Sequence, residues 1–151
     1  MIIKDDIIEA NDIEEARKKI DSFSKLNKKI IVLGKDIEFN RKILENKKVN
    51  MLILNHKQKK DTLRQRDSSL NHILCKIAKK NNVIIAFDFS ELERTDKKEK
   101  AILLSRWIQN IKLCKKYKVK FKILTNKNKK NIFSFLLTLS CDTKNAKEAL
   151  N

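Results

Sequence analysis

The stretch Leu70–Val83, LNHILCKIAKKNNV, together with the residues that continue it, dictates the kind of fold open to this chain. Leu70, Ile73, Leu74, Ile77 and Ala78 recur at i, i+3, i+4, i+7 and i+8, which is one face of a helix. Asn71, His72, Lys76, Lys79 and Lys80 look elsewhere. Asp67, Ser68 and Ser69 offer oxygen atoms for the N-terminal cap, and Asn81-Asn82 supplies a left-handed stop. Val83-Ile84-Ile85-Ala86-Phe87 then runs without a polar residue, which suits a strand covered on both faces, as in a parallel sheet. Helix into buried strand is the working unit.

The alternation extends in both directions. Met1–Lys4 reads as a short edge strand, and the DDIIEAND that follows is acidic and irregular. Asp12 and Glu15 have capping-box spacing and open a helix with the stripe Ile13, Ala16, Ile20, Phe23 and Leu26. Lys29–Leu33 is a short buried strand ending at Gly34, the only glycine in the chain. Asp36 caps a helix that turns Ile37, Ile43 and Leu44 inward, and Val49–Leu54 is the next strand. Asn55–Arg66, NHKQKKDTLRQR, is a basic loop longer than the usual strand-to-helix connection. Asp88 to Arg94 reads as a second loop, after which Thr95 or Asp96 caps the longest helix, about Lys97–Tyr117. Its apolar side is Ala101, Leu104, Trp107, Ile108, Ile111 and Cys114, and its outward side shows Arg106, Lys112, Lys115 and Lys116. Val119–Leu124 is a strand and Asn126–Lys130 a third basic loop; Phe133, Leu136, Leu137 and Leu139 mark a helix. Asp142 or Thr143 caps a final short helix with Ala146, Ala149 and Leu150. Alternating units with right-handed crossovers predict an α/β fold, with a parallel sheet or a barrel, in a single domain over residues 1–151.

Several chemistries are excluded by what the chain lacks. A sequence with one glycine contains neither of the glycine-rich phosphate loops. Two histidines, His56 and His72, with Asp88 at one strand end, cannot furnish a hydrolytic metal cluster. His72 stands beside Asn71 at a helix start, off the apolar face, where a hydrogen bond to backbone is the expected role. Ser68, Ser69 and Cys75 have no evident base to activate them. Cys75, Cys114 and Cys141 lie far apart with no CxxC and read as small core hydrophobes of a reducing, cytoplasmic compartment. No apolar run approaches the roughly 18–20 residues that cross a bilayer, so no membrane partner is expected.

The charge is +17, from 36 Lys and Arg against 19 Asp and Glu. Only six of the bases are Arg, and a chain rich in Lys, Asn and Ile is what an A/T-rich genome writes wherever a side chain is tolerated. The distribution says more than the total. Residues 1–34 hold seven bases and seven acids, whereas Lys100–Cys141 holds no Asp or Glu. A solvated face interleaves both signs, so an acid-free stretch of that length points to a polyanion. Aromatic residues sit mostly inside apolar segments, Phe89 apart, which leaves no platform for stacking unpaired bases. Contact with nucleic acid would then run through phosphates. Candidate contacts are Lys57, Lys59, Lys60, Arg64 and Arg66 in one loop, Arg106, Lys112, Lys115 and Lys116 on the long helix, and Lys127, Lys129 and Lys130 in the other loop. Loops at strand carboxyl ends share one edge of a sheet, so the first and third groups are candidates for one basic rim, with the helix group on another face. Lys115, Lys116 and Lys118 also suit the negative end of a helix dipole, the structural explanation that competes with RNA contact.

DIEFNRKILENKKVNMLIL, RDSSLNHILCKIAKKNNVIIAFDFS and AILLSRWIQNIKLCKKYKV follow one another in order and spacing, carrying Asn40-Arg41, Leu70-Asn71-His72, Leu103-Leu104-Ser105-Arg106 with Asn110, and Leu113–Lys118. In these segments the chain resembles the archaeal ribonuclease P protein component 3 family, counterpart of the eukaryotic thirty-kilodalton subunit. The resemblance runs over about Ile30–Tyr117 and, more weakly, Ser134–Leu150. It implies a shortened TIM-barrel-like (PHP-related) domain, kin to metal-dependent phosphoesterases that have lost their ligands, with a front shorter by about one strand–helix unit and hence a closed or an incomplete barrel. It further implies a non-catalytic, RNA-binding subunit of a ribonucleoprotein endonuclease that removes the 5′ leader of precursor tRNA. Its partners would be ribonuclease P RNA, a small RRM-like protein subunit and, indirectly, precursor tRNA; no cofactor is held by the chain, and Mg2+ is expected at the RNA. After the last predicted strand the family's small-residue loop is replaced by TNKNKKN, where lysine side chains stand in for backbone amides. A free-standing metal-dependent phosphoesterase and a protein-interaction scaffold are the alternatives.

Overall fold

Short oxygen-bearing side chains decide where the helices begin. Asp12, Asp36, Asn71, Asp88, Asp96, Asn128 and Asp142 each accept a hydrogen bond from a backbone N–H two or three residues on, which satisfies a donor the helix itself cannot. A computed structural model describes residues 6–56, 61, 63 and 66–151. It runs β1 (Ile7–Ile8), α1 (Ile13–Lys25), β2 (Ile31–Leu33), α2 (Ile37–Glu45), β3 (Met51–Ile53) and α3 (His72–Lys80). The second part is β4 (Ile84–Asp88), α4 (Phe89–Arg94), α5 (Lys97–Tyr117), β5 (Phe121–Leu124), α6 (Lys129–Thr138) and α7 (Thr143–Leu150).

Four helices end without glycine. Asn27, Asn82, Lys118 and Ser140, just past α1, α3, α5 and α6, all adopt φ between 51° and 64°. Asn82 is the left-handed stop read from the sequence. Lys118 carries the steric cost of a Cβ in that conformation.

The five strands are all parallel and stand in the order β1-β2-β3-β4-β5, with Ile7, Ile31, Met51 and Ile84 in register across the first four. Every crossover therefore steps the same way, as in a barrel, and crossovers of one hand put all the helices on one face. Side chains alternate accordingly. Val32, Leu52, Leu54, Ile85, Phe87, Phe121 and Ile123 pack with the buried faces of the helices in one large core. Ile31, Met51, Ile53 and Ala86, flanked by Ile7, Leu33, Ile84 and Leu124, form a second cluster that contains no helix residue. β1 and β5 are the edges, and neither pairs with a further strand among the described residues, so the sheet is open and barrel-like in order.

Phe87 packs against Trp107 with the rings tilted at 53° and 5.0 Å between centroids and meets Phe121 at 6.0 Å, while Phe89 meets Phe135 edge-on at 5.7 Å. The aromatic residues thus serve packing. Cys75, Cys114 and Cys141 are buried free thiols, as their reading as core hydrophobes requires.

Several expectations shift. The expected Met1–Lys4 strand lies outside the described residues, and a two-residue edge strand forms at Ile7–Ile8, inside the acidic segment. Asp88–Arg94 is not a loop: Asp88 accepts from the N–H and the Oγ–H of Ser90 and starts α4. Asn71, rather than Asp67–Ser69, caps α3. The α3 face is rotated, with Leu74, Cys75 and Ala78 buried and Ile73 half exposed.

Candidate nucleic-acid interface

The connection from β3 to α3 is where the chain invests its buried polar groups. Its start is the ring of His56, which lies between two partners. Nδ1 is 3.1 Å from Glu91 Oε2 and Nε2 is 3.3 Å from Asn110 Nδ2, an arrangement satisfied when Nδ1 donates to the carboxylate and Nε2 accepts from the amide. The His56 N–H donates to Glu91 Oε1, and Asn110 Nδ2 also donates to the Ser68 carbonyl at 2.8 Å. His56, Ser68, Ser69 and Asn110 are all buried, so the Asn110 bonds are made away from water, while Glu91 is 12% exposed at its end of the chain of bonds.

Ser69 is the pivot. Its φ is 62°, unfavourable for a residue with a Cβ. Three bonds hold it there: its N–H donates to Asp67 Oδ1, its hydroxyl to the Asn55 carbonyl, and its carbonyl accepts from Asn40 Nδ2. Asn40 in turn accepts from the Lys35 N–H at 2.8 Å, which ties the turn after Gly34 to the same loop.

Further out, Asp61 accepts from the Asp67 N–H at 2.8 Å and from Arg106 Nη2 at 3.1 Å, with Arg66 Nε at 3.9 Å. Desolvation works against the charged form, but the Arg106 bond and the Asp67 N–H outweigh it and hold the Asp61 carboxyl below the ordinary carboxylate range.

These contacts correct the reading of α5. Arg106, placed on the outward side by sequence, has a side chain only 8% exposed and faces the loop. The buried face of α5 is Leu103, Arg106, Trp107, Asn110, Ile111 and Cys114, whereas Ala101 is exposed and Leu104 and Ile108 are half buried. A helix that must cover a polar loop as well as a sheet turns polar side chains inward, where apolar periodicity does not register them.

The other predicted contacts sort into three places. Arg66, Lys112 and Lys116 come together along a shallow groove of about 360 Å³, floored by Ile108 and Leu113 and edged by Ser105 and Gln109. Lys115 turns away and pairs with Asp142 at 3.0 Å. The bonds that Asp142 accepts from Asn145, with Lys115 beside it, bring its carboxyl down to about 2. Lys127 pairs with Glu93 at 3.0 Å, and Lys129 and Lys130 are exposed in the first turn of α6. Lys57, Lys59, Lys60 and Arg64 lie outside the described residues.

Of the expected basic rim, only Arg66, Lys127, Lys129 and Lys130 lie among the described residues. Arg66 joins the α5 lysines, and Lys127 is drawn to a carboxylate. The strand carboxyl ends open instead into a cleft of about 920 Å³ with Glu9, Asp88, Glu91, Glu93 and Glu99 among its lining residues. His72 is exposed at the start of α3, and the expected backbone hydrogen bond to its ring is not seen among the described residues. No group of three metal-ligating side chains, and no helix long and apolar enough to cross a membrane, occurs among the described residues.

Comparison with known proteins bears on this architecture. No family model matches the chain. It is 31% identical over 107 residues to ribonuclease P protein component 3 of Methanococcus maripaludis, covering 71% of this chain and 42% of that protein. The protein of the same name from Methanocaldococcus jannaschii is 28% identical over 139 residues, covering 87% of this chain and 57% of the relative. The chain thus spans about half the length of the curated relatives it matches. A chain in a cryo-EM structure of archaeal ribonuclease P with mature tRNA superposes with a TM-score of 0.77 at 27% identity, over 95% of this chain and 61% of that one. Sequence likeness and fold agree, and the chain belongs to the archaeal ribonuclease P protein component 3 family.

Proposed function

We propose that this chain is a non-catalytic subunit of ribonuclease P that grips folded RNA by its phosphates and supports a catalytic RNA in removing the 5′ leader of precursor tRNA. The groove on α5 carries this reading: Arg66, Lys112 and Lys116 converge from two separate segments on one surface, within reach of a single backbone. The helix dipole accounts for cations late in α5, but not for Lys129 and Lys130, which stand in the first turn of α6, where positive charge is unfavourable. An anion there would relieve the mismatch. Precursor tRNA is met indirectly, a small RRM-like subunit is the protein partner, and Mg2+ belongs to the RNA; a soluble protein of the cytoplasm fits these roles.

The test is RNA affinity against salt. Wild-type protein titrated with ribonuclease P RNA should show log K falling with log salt by about 0.7–0.9 per phosphate neutralised, and Arg66→Ala with Lys112→Ala and Lys116→Ala should flatten the slope by about two units or more. Unchanged slopes would leave the groove without a role. Cleavage of a generic phosphodiester by the protein alone would favour the phosphoesterase instead.

A further inference from the structure

The cleft at the strand carboxyl ends has a composition at odds with the chain around it. Its floor includes Ile7, Leu33, Ile53 and Leu124, all from the sheet face whose apolar cluster contains no described helix residue. Among the described residues, five carboxylates stand around them against two guanidiniums, Arg94 and Arg106, in a chain of net charge +17. Arg106 already faces Asp61, and Lys127 answers only Glu93. The side chains of Glu9 and Glu99 have no ion-pair or hydrogen-bond partner among the described residues.

We infer that this cleft is a docking site for a protein partner, entered by a segment that carries lysine or arginine together with apolar side chains. Charge selects the occupant. Phosphates of RNA would be repelled by the carboxylate rim, so the cleft and the α5 groove divide their ligands by sign. A second copy of the chain would bring two like rims together and add its own +17. A cationic segment meets Glu9 and Glu99 while its apolar residues cover the half-buried Ile7, Leu33 and Leu124, which no described helix does. The inference concerns a different surface from the RNA groove and stands without it.

The test uses the full chain and three labelled probes followed by fluorescence anisotropy: a short alternating Lys/Leu peptide, its Lys/Ser counterpart and an A-form RNA duplex. On a protein of this net charge, binding of a cationic peptide requires a local acidic site. The Lys/Leu peptide should bind well above the Lys/Ser peptide, and Glu9→Gln with Glu99→Gln should weaken it about fivefold or more. Lys112→Ala with Lys116→Ala should leave it unchanged. Glu9→Gln with Glu99→Gln should leave RNA binding unchanged, which separates failure of this inference from failure of the RNA reading. Absence of peptide binding, equal binding of both peptides, displacement by the duplex, or a self-association in sedimentation velocity that the Glu9 and Glu99 changes abolish would each overturn it.

Discussion

Gly34→Ala should cost about 2–4 kcal/mol, although φ at Gly34 is one that any residue adopts. The obstacle is space. A Cβ at position 34 would lie 2.7 Å from Asn40 Oδ1 and 2.9 Å from the Ile53 carbonyl oxygen. That carbonyl cannot retreat freely, because it accepts the Gly34 N–H at 2.8 Å. The Asn40 amide is fully buried, and turning it away loses the 2.8 Å bond from Lys35 N–H and loosens the 3.2 Å bond to Ser69. Overpacking costs about 1–3 kcal/mol and a disrupted buried amide another 1–3, against which alanine's stiffer unfolded chain returns about 0.4–1. Urea unfolding of both proteins reads the difference directly. Asn40→Ala should reduce the cost of Gly34→Ala by about 1 kcal/mol, because one of the two obstructing oxygens is gone. A Gly34→Ala protein as stable as wild type, or more stable, would show that Gly34 is an ordinary loop glycine and that Asn40 does not anchor the β3–α3 connection.

Other consequences are simpler to state. Arg106→Met should lower stability by about 1–3 kcal/mol in urea titration by stripping Asp61 of its main partner; a purely RNA-contacting arginine would leave stability alone. Lys118→Gly should raise the urea midpoint, worth about 0.5 kcal/mol, because φ of 54° suits glycine; a drop would mean the lysine side chain matters more than its backbone. Leu74→Ala, at a site 1% exposed, should cost about 2–5 kcal/mol by thermal melt. Asp142 is held down to about 2, so its contribution is present above the unfolded value near 3.8 and is lost as pH falls toward 2; urea midpoints between pH 5 and 2 should decline less steeply in Asp142→Ala.

The apolar periods and the caps made most of the fold legible. Asp12, Asp36, Asp96 and Asp142 are signals a sequence prints openly, and α5 begins and ends where they and Tyr117 place it. Its rotation was not legible. Arg106 and Asn110 face inward because Ser68, His56 and Asp61 present a carbonyl, a ring nitrogen and a carboxylate to that face, and those groups are 42, 54 and 45 residues away from their partners. Helical periodicity knows only the residues three and four away. The segments that carry the family resemblance do include Arg106 with Asn110 and Leu70-Asn71-His72, but a resemblance gives no direction to either side chain.

That rotation also explains how a single helix separates two surfaces. With Arg106 spent on Asp61 and Asn110 on Ser68 and His56, the inner face of α5 fastens the loop that leads from β3. The opposite edge is free to carry Lys112 and Lys116, and Arg66 reaches them because Asp61 and Asp67 hold its loop against the helix. His56, bonded to Glu91, places that carboxylate in the cleft and away from the lysines. The basic groove and the acidic cleft are thus kept apart by buried hydrogen bonds rather than by the sequence blocks in which the charges occur. Weakening the network at Asn110 should therefore blur the two surfaces together, with the affinities for RNA and for a cationic peptide changing in one variant although Asn110 itself is fully buried and touches neither ligand.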